Sequence, residues 1–321
     1  MLSFLSEKYQ TFFILMTATQ PFFQNVSKNN ELAPPNVTFP QNRHNYRILP
    51  DKYEINDLLN ILFDNDIPFE KSGAIVLNTK KTAIEAYNLL SSFVEADNIF
   101  FLSGWLTPKS KKRVLKELKQ AEKNNELRYL VTTQVVEAGV DLDFNWVFRD
   151  FSPLDSLIQV AGRCNRHGLD NDSGIVLIAE LQSKNKRGYG SYVYNRTLLD
   201  STHQILNKMF PEGTFSEQHI PELISEYYQE IILNRKVTPS LLLSLLKKGE
   251  WENLPPLFKE EHRQVTLYVE EDEEFMPILN CLLENEWTLE NRHEQKRLFN
   301  QLQQYAISVP HYILEKDCLS V

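Results

Sequence analysis

Short apolar runs of about strand length recur through the first part of the chain, at residues 74–77, 99–102, 129–131, 146–148 and 175–178. None alternates strictly between apolar and polar, the pattern of strands buried on both faces. Between the first two runs, Ala83, Ile84, Tyr87, Leu90 and Val94 fall at helical spacing on one stripe. After the second run, Thr107-Pro108 reads as a helix N-cap followed by proline in the first helical position. The helix it opens carries Val114, Leu115 and Leu118 on one side and lysines on the others. Strands alternating with helices predict an α/β fold, a parallel sheet with helices on both faces. The pattern places this domain at residues 43–190, with its strands ending near residue 182.

The flanks read differently. Residues 1–24 suggest a helix, a strand at 12–16 and a polar turn at Thr17-Ala18-Thr19. One helix and one strand cannot bury their own apolar faces. Residues 25–42, rich in Asn and Pro, read as a linker. Beyond residue 190 the pattern is mostly helical, with helices expected at 196–209, 221–234, 239–248 and 291–306 and a strand at 265–269. We expect linker helices over 191–235 and a small accessory domain over 236–321. The acidic run 270–274 reads as a solvated surface stretch.

Composition narrows the classes. The 321 residues, 42% hydrophobic and 24% charged, suit a globular protein with a sizeable core. No apolar run reaches membrane-span length, and the N-terminus lacks the basic start of a secretory signal. Cys164, Cys281 and Cys318 are far apart and odd in number, which predicts reduced thiols, a cytoplasmic setting and no zinc cluster. The seven histidines are scattered, and no metal site is expected from them. The formal charge of −9 means that any nucleic acid must be met through a local groove. Lys109, Lys111, Lys112, Arg113, Lys116 and Lys119 could line one; they fit a solvated helix face equally well.

The densest chemistry lies in SLIQVAGRCNRHG, residues 156–168. Asp155 or Ser156 can cap a helix after Pro153, on which Gln159, Arg163 and Arg166 stand at i, i+4 and i+7 and share a face. Leu157, Ile158 and Ala161 can turn inward, and Gly162 admits a close backbone neighbour. A face with two arginines calls for an anion, and a triphosphate meets that need. Arginine stabilises charge on the transferred phosphoryl group, worth about 10³–10⁵ in rate in nucleotide hydrolases. The alternative is an arginine pair satisfied by local carboxylates. Just upstream, YLVTTQVVEAGVDLD (129–143) reads as a buried strand ending in Thr132-Thr133-Gln134, then a turn through Gly139 to Asp141. The carboxyl end of a strand is where open α/β sheets bind ligands. Asp141 could accept from a ribose hydroxyl, pair with a nearby arginine, or be an ordinary turn aspartate.

In this order and at this spacing, the two segments resemble motifs V and VI of superfamily-two helicases. Residues 73–79 with the helix after them resemble motif IV, and Thr17-Ala18-Thr19 resembles motif III. FLSGWLTPKSKKRVLKELK, FSPLDSLIQVAGRCNRHG and ILMTATQP resemble the CRISPR-associated helicase–nuclease family of type I systems. The likeness covers roughly residues 10–180, and HRQVTLYVEEDEE has the look of that family's C-terminal region. The resemblance implies a second RecA-like domain over 43–190, preceded in 1–42 by a remnant of the first. It implies catalytic roles for Gln159, Arg163 and Arg166, and nucleotide contacts from Gly139, Asp141, Arg163 and Arg166. Nucleic-acid contacts would come from Thr17, Thr19, Asn78, Thr79, Ser103, Thr132, Thr133 and Gln134. The implied cofactors are ATP and Mg²⁺. The implied partners are single-stranded DNA, the CRISPR surveillance complex and a separate polypeptide with the nuclease and first RecA-like domains.

The sequence departs from a complete helicase. It has no G-x-x-x-x-G-K-[ST] phosphate loop and no D-E-x-H box. Its one Asp-Glu pair, Asp272-Glu273, lies far downstream, and no His-Asp dipeptide of a nuclease centre occurs. We therefore expect an inactive chain unless the missing ATP-binding half is supplied. The alternative is a non-enzymatic module that binds nucleic acid or protein, or a degraded helicase fragment.

Overall fold

A computed structural model describes residues 8–10, 12, 42–137, 141–168, 173–234, 245, 248–250, 252, 264–288 and 291–311. Its centre is a seven-stranded sheet ordered β3-β4-β2-β5-β6-β1-β7. The strands are β1 (His44–Tyr53), β2 (Gly73–Val76), β3 (Ile99–Leu102), β4 (Tyr129–Thr132), β5 (Trp146–Asp150), β6 (Gly174–Leu181) and β7 (Thr214–Ser216). All neighbours run parallel except β7, which pairs antiparallel with β1.

Each of the five expected apolar runs lies at a strand, because each is covered on both faces. Alternate residues of one strand enter opposite cores. Ala74 and Val76 join one core; Ile75 and Leu77 join the other. Helices α1 (Leu58–Asp64) and α2 (Lys80–Ser91) close the second face with Leu58, Ile61, Leu62, Ala83, Ala86 and Leu90. Helices α3 (Pro108–Lys123) and α4 (Leu154–Ala161) cover the first face. Thr107 caps α3 as expected, its hydroxyl accepting from the Ser110 amide at 3.1 Å.

Three expectations change. First, the core does not stop at residue 190. Helices α5 (Arg196–Met209) and α6 (Ile220–Asn234) set Leu199, Ile205, Leu206, Leu223, Tyr227 and Ile231 into the first core, and Phe215 of β7 stacks on Tyr46 at 4.3 Å between ring centres. These helices are part of the sheet's cover rather than a linker. Second, the chain entering the domain is a strand, β1, whose apolar pattern is broken by Pro50. Its register against β6 shifts between Ile48 and Lys52, the stretch that holds this proline without an N–H. Third, the helix expected over 291–306 ends earlier. Helix α8 (Arg292–Leu302) gives way to a 3₁₀ turn, Gln303–Tyr305, and then to strand β9 (Ala306–Pro310). Strand β9 pairs antiparallel with β8 (Gln264–Tyr268). With helix α7 (Phe275–Glu284), these elements enclose a small core of Phe275, Leu302 and Tyr305. The expected turn at Thr17 and Thr19, and most of the expected helix at 239–248, lie outside the described residues.

No described helix is long and apolar enough to cross a membrane. Among the described residues no group of three His, Cys, Asp or Glu could hold a metal ion.

Candidate functional site

Parallel pairing puts the carboxyl ends of β2, β3, β4 and β5 side by side, with Val76 opposite both Thr132 and Arg149, and Leu102 opposite Thr132. The residues that follow these strands therefore form one edge. Asn78 and Thr79, Ser103, Thr132, Thr133 and Gln134 all lie along it. Most of their side chains are already engaged. Thr79 caps α2, accepting from the Thr82 amide at 3.1 Å. Ser103 accepts from the Trp105 amide at 3.3 Å, and Thr132 donates to the Thr133 carbonyl at 3.1 Å. Gln134 donates to the Asn78 carbonyl at 2.9 Å. Asn78, Ser103, Thr132 and Thr133 are buried. What this edge presents at its surface is Thr79, Lys80, Trp105 and Gln134, each partly exposed. The Lys80 ammonium sits 4.9 Å from the Trp105 ring centre, a cation–π contact. Burial, then the charge of Lys111, holds the Lys80 pKa below its ordinary value. Neither Lys80 nor Trp105 was expected from sequence; an aromatic residue in the turn after β3 was the available signal.

Beneath the edge lies a fully buried guanidinium. Arg149 donates to Asn78 Oδ1 at 2.8 Å, to Ser156 Oγ at 2.8 Å and to the Tyr194 hydroxyl at 2.9 Å, and it pairs with Glu137 at 3.1 Å. Burial pushes the Glu137 carboxyl up, while Arg149 and the Ser156 hydroxyl pull it down. One side chain thus ties together the strand-β2 edge, the turn after β4, helix α4 and the segment before α5. Sequence reasoning missed it because a charged residue inside an apolar run looks like the run's end.

The arginine segment departs from the expected helix face. Pro153 occupies the N-cap position of α4, with Asp155 and Ser156 inside the first turn, and the helix ends at Ala161 with Gly162 as its C-cap. Gln159 is thus helical, while Arg163 and Arg166 lie in the turn beyond, so the three do not share one helical face. Asn165 has a left-handed φ of +44°, which turns the chain. Arg163 reaches back to the carbonyls of Val136 at 3.1 Å and Glu137 at 3.2 Å. Arg166 pairs with Asp141 at 3.0 Å, and its amide donates to Asp143 Oδ1 at 2.7 Å. Of the openings left to Asp141, the arginine pair is the one the structure contains. The turn is braced from β1: Arg43 donates to the Arg166 carbonyl at 3.1 Å and pairs with Glu217, and its own carbonyl accepts from Asn165 at 2.9 Å. Gly139 lies outside the described residues.

Arg166 is partly exposed and Asp141 is exposed. An exposed ion pair of this kind is worth about 0–1 kcal/mol, so an arriving phosphate can displace the carboxylate at little cost. The segment can lend a guanidinium to a phosphate.

Residues 70–169 match the model of the family described as CRISPR-associated nuclease/helicase Cas3, C-terminal. The chain resembles the C-terminal portion of the Cas3 family. It is 25% identical over 82% of its length to a CRISPR-associated nuclease/helicase Cas3 of Methanothermobacter thermautotrophicus, covering 27% of that protein. Its fold resembles the crystal structure of T. fusca Cas3, with TM-score 0.53 and 20% identity over 68% of this chain and 27% of that one. It likewise resembles T. fusca Cas3-ATP, with TM-score 0.52 and 20% identity over the same shares. The chain therefore spans about a quarter of the length of the relatives it matches. The matched stretch contains the strand edge, Arg149 with its partners Asn78, Glu137 and Ser156, and the Arg163–Arg166 turn.

Proposed function

We propose that the chain serves as the C-terminal part of an ATP-dependent superfamily-two DNA helicase of CRISPR type I defence. The observation that carries this is the placement of Arg166 with Asp141, and Arg163 beside them, within the family-matched stretch. The ATP site of such helicases lies between two RecA-like domains. In this reading Arg163 and Arg166 reach toward a phosphate bound by the first such domain, and Gln159 supports them on α4. Asp141, and Gly139 by the motif resemblance, would contact the nucleotide. Mg²⁺ would be held with the triphosphate by the first domain, supplying charge neutralisation there; Arg163 and Arg166 of this chain would supply guanidinium donors.

Single-stranded DNA would track the strand edge through Thr79, Lys80, Trp105 and Gln134, with Asn78, Ser103, Thr132 and Thr133 shaping it from below. Thr17 and Thr19 would join from the N-terminal side. Backbone contacts of this type are sequence-tolerant and weaken with salt. The partners are then the CRISPR surveillance complex and a polypeptide carrying the nuclease and first RecA-like domains, in the cytoplasm.

The chain by itself is expected to hydrolyse no ATP. Mixed with a polypeptide that carries the phosphate loop and D-E-x-H box, it should restore DNA-stimulated ATP hydrolysis, and Arg166→Ala should lower that rate by about 10³-fold. Hydrolysis by the isolated chain, or a mixture indifferent to Arg166, would overturn the reading. A non-enzymatic binding module is the second reading. It is favoured by Arg163, whose Nε and Nη2 donate to internal carbonyls rather than facing outward for a phosphate.

A further inference from the structure

The acidic run 270–274 is not a free surface stretch. It lies on the N-terminal end of α3, one turn beyond Ser103, Gly104 and Trp105. The Thr107 hydroxyl donates to one carboxylate oxygen of Glu271 at 2.6 Å, and the Ser110 hydroxyl donates to the other at 3.0 Å. Lys109 pairs with Asp272 at 2.5 Å and with Glu274 at 2.8 Å. It also donates to the Tyr305 hydroxyl at 2.8 Å and lies 4.8 Å from that ring's centre. Tyr305 in turn donates to Asp272 at 2.9 Å. The Lys109 bonds hold the Asp272 carboxyl below its ordinary pKa. The β8–β9 unit thus touches the RecA-like sheet domain through charge and hydroxyl groups, while its own apolar residues Phe275 and Leu302 stay in its own core.

The donor set that Glu271 occupies is one that suits a phosphodiester. It comprises the Thr107 and Ser110 hydroxyls at the positive end of a 16-residue helix, and Lys109, held by Asp272 and Glu274, belongs to the same first turn. A carboxylate spans two donors as the two non-bridging oxygens of a phosphodiester do. The helix continues with Lys111, Lys112, Arg113, Lys116 and Lys119. It starts from the loop that follows β3, on the sheet edge assigned above to the DNA strand.

We propose that residues 270–274 are an internal competitor for the nucleic-acid backbone. Glu271 stands where a phosphate of the bound strand would sit, and Asp272 and Glu274 neutralise Lys109. Strand entry then requires the β8–β9 unit to release α3. Exposed ion pairs are individually weak and screened by salt, so the contact is suited to exchange rather than to permanent attachment. This inference rests on the reading of the sheet edge as a strand-binding surface.

The test is fluorescence anisotropy of a labelled oligothymidylate titrated with the full 321-residue chain. The double variant Glu271→Gln/Asp272→Asn should bind about tenfold more tightly than wild type, since donors to backbone phosphates are uncovered. Glu270→Gln/Glu273→Gln changes the net charge equally without touching α3 and should bind as wild type does. Tyr305→Phe loosens the contact without changing charge and should tighten binding in the same direction by a smaller factor. Equal tightening by both double variants would reduce the effect to net charge and overturn the proposal. Unchanged affinity on removing Glu271 and Asp272 would overturn it too. Lys111→Ala/Lys112→Ala separates this from the underlying reading. If that variant weakens binding while the acidic variants leave it alone, the strand edge stands and the competitor falls. If no form of the chain binds the oligonucleotide, both fall.

Discussion

Arg149 and Asp150 end one strand with two ionisable side chains, both fully buried. A buried charge is tolerated only when its partners are in place, and removing one partner leaves the other stranded. Arg149→Met is therefore expected to cost about 3–5 kcal/mol, read as a lower urea midpoint, because Glu137 loses its counter-charge. Adding Glu137→Gln should recover part of that loss, since the stranded group is then neutral. Asp150 gives a different signature. Burial pushes its carboxyl from 3.8 to about 7, against the pull of amide donors Leu181 at 3.0 Å and Asn78 at 3.4 Å and of the Arg149 charge. Between those two values the unfolded chain has released the proton and the folded chain keeps it, so rising pH weakens the fold until about pH 7 and not beyond. His44 acts in the opposite sense: burial lowers its pKa from 6.5, so its contribution is lost as pH falls. The Asp150 effect is isolated as the difference between wild type and Asp150→Asn. That difference should decline from about pH 4 to pH 7 and then stay level in urea titrations; a level difference throughout would refute the assignment.

At the level of elements, packing tolerances decide which residues can occupy a strand. Strand β2 runs between β4 and β5 with all four residues buried. Its first residue, Gly73, lies under the indole of Trp146, where an added Cβ would come within 1.9 Å of Cε2. Trp146 is fully buried and donates to the Lys71 carbonyl at 3.1 Å, so it has no room to yield. Gly73→Ala should cost at least about 3 kcal/mol, at the upper end of overpacking penalties, and a thermal melt would show it. The same physics explains what was legible in the sequence. Runs buried on both faces announce themselves as apolar, and the cap at Thr107-Pro108 is a local signal with a local cause. Strand β1 was not legible, because half of its side chains face polar surroundings and Pro50 breaks its pattern. The arginine turn was legible as chemistry but not as geometry. Its residues sit at helical spacing, yet Gly162 and the left-handed Asn165 end the helix before Arg163 can point along it. Arg149 and Glu271 were illegible for a shared reason. Each is read correctly only once its partner, distant in sequence, is known.

For the molecule as a whole, the decisive question is where the folding unit ends. Helices α5 and α6 come after the last inner strand, and by sequence alone they look like a connector. In the structure they complete the first core. Leu199, Ile205 and Leu206 of α5, Phe215 of β7, and Leu223, Tyr227 and Ile231 of α6 are all buried there. Tyr46, on β1, is buried against Phe215, which stacks in turn on Phe210 at 4.3 Å. Cutting the chain after residue 190 would remove these side chains and uncover the part of the first core that they close, Tyr46 included. Each large apolar side chain returned to water costs about 1.5–3 kcal/mol. A few core residues left uncovered in this way cost an amount comparable with the roughly 5–15 kcal/mol by which a domain is stable at all. A chain ending at 190 should therefore fail to give a cooperative urea transition and should bind a hydrophobic dye. A chain ending after residue 234 should unfold in one sharp step. If the shorter chain folded cooperatively, α5 and α6 would be appendages after all. The arginine turn would then be held by β1 alone, without the Glu217 carboxylate that now fixes Arg43 beneath it.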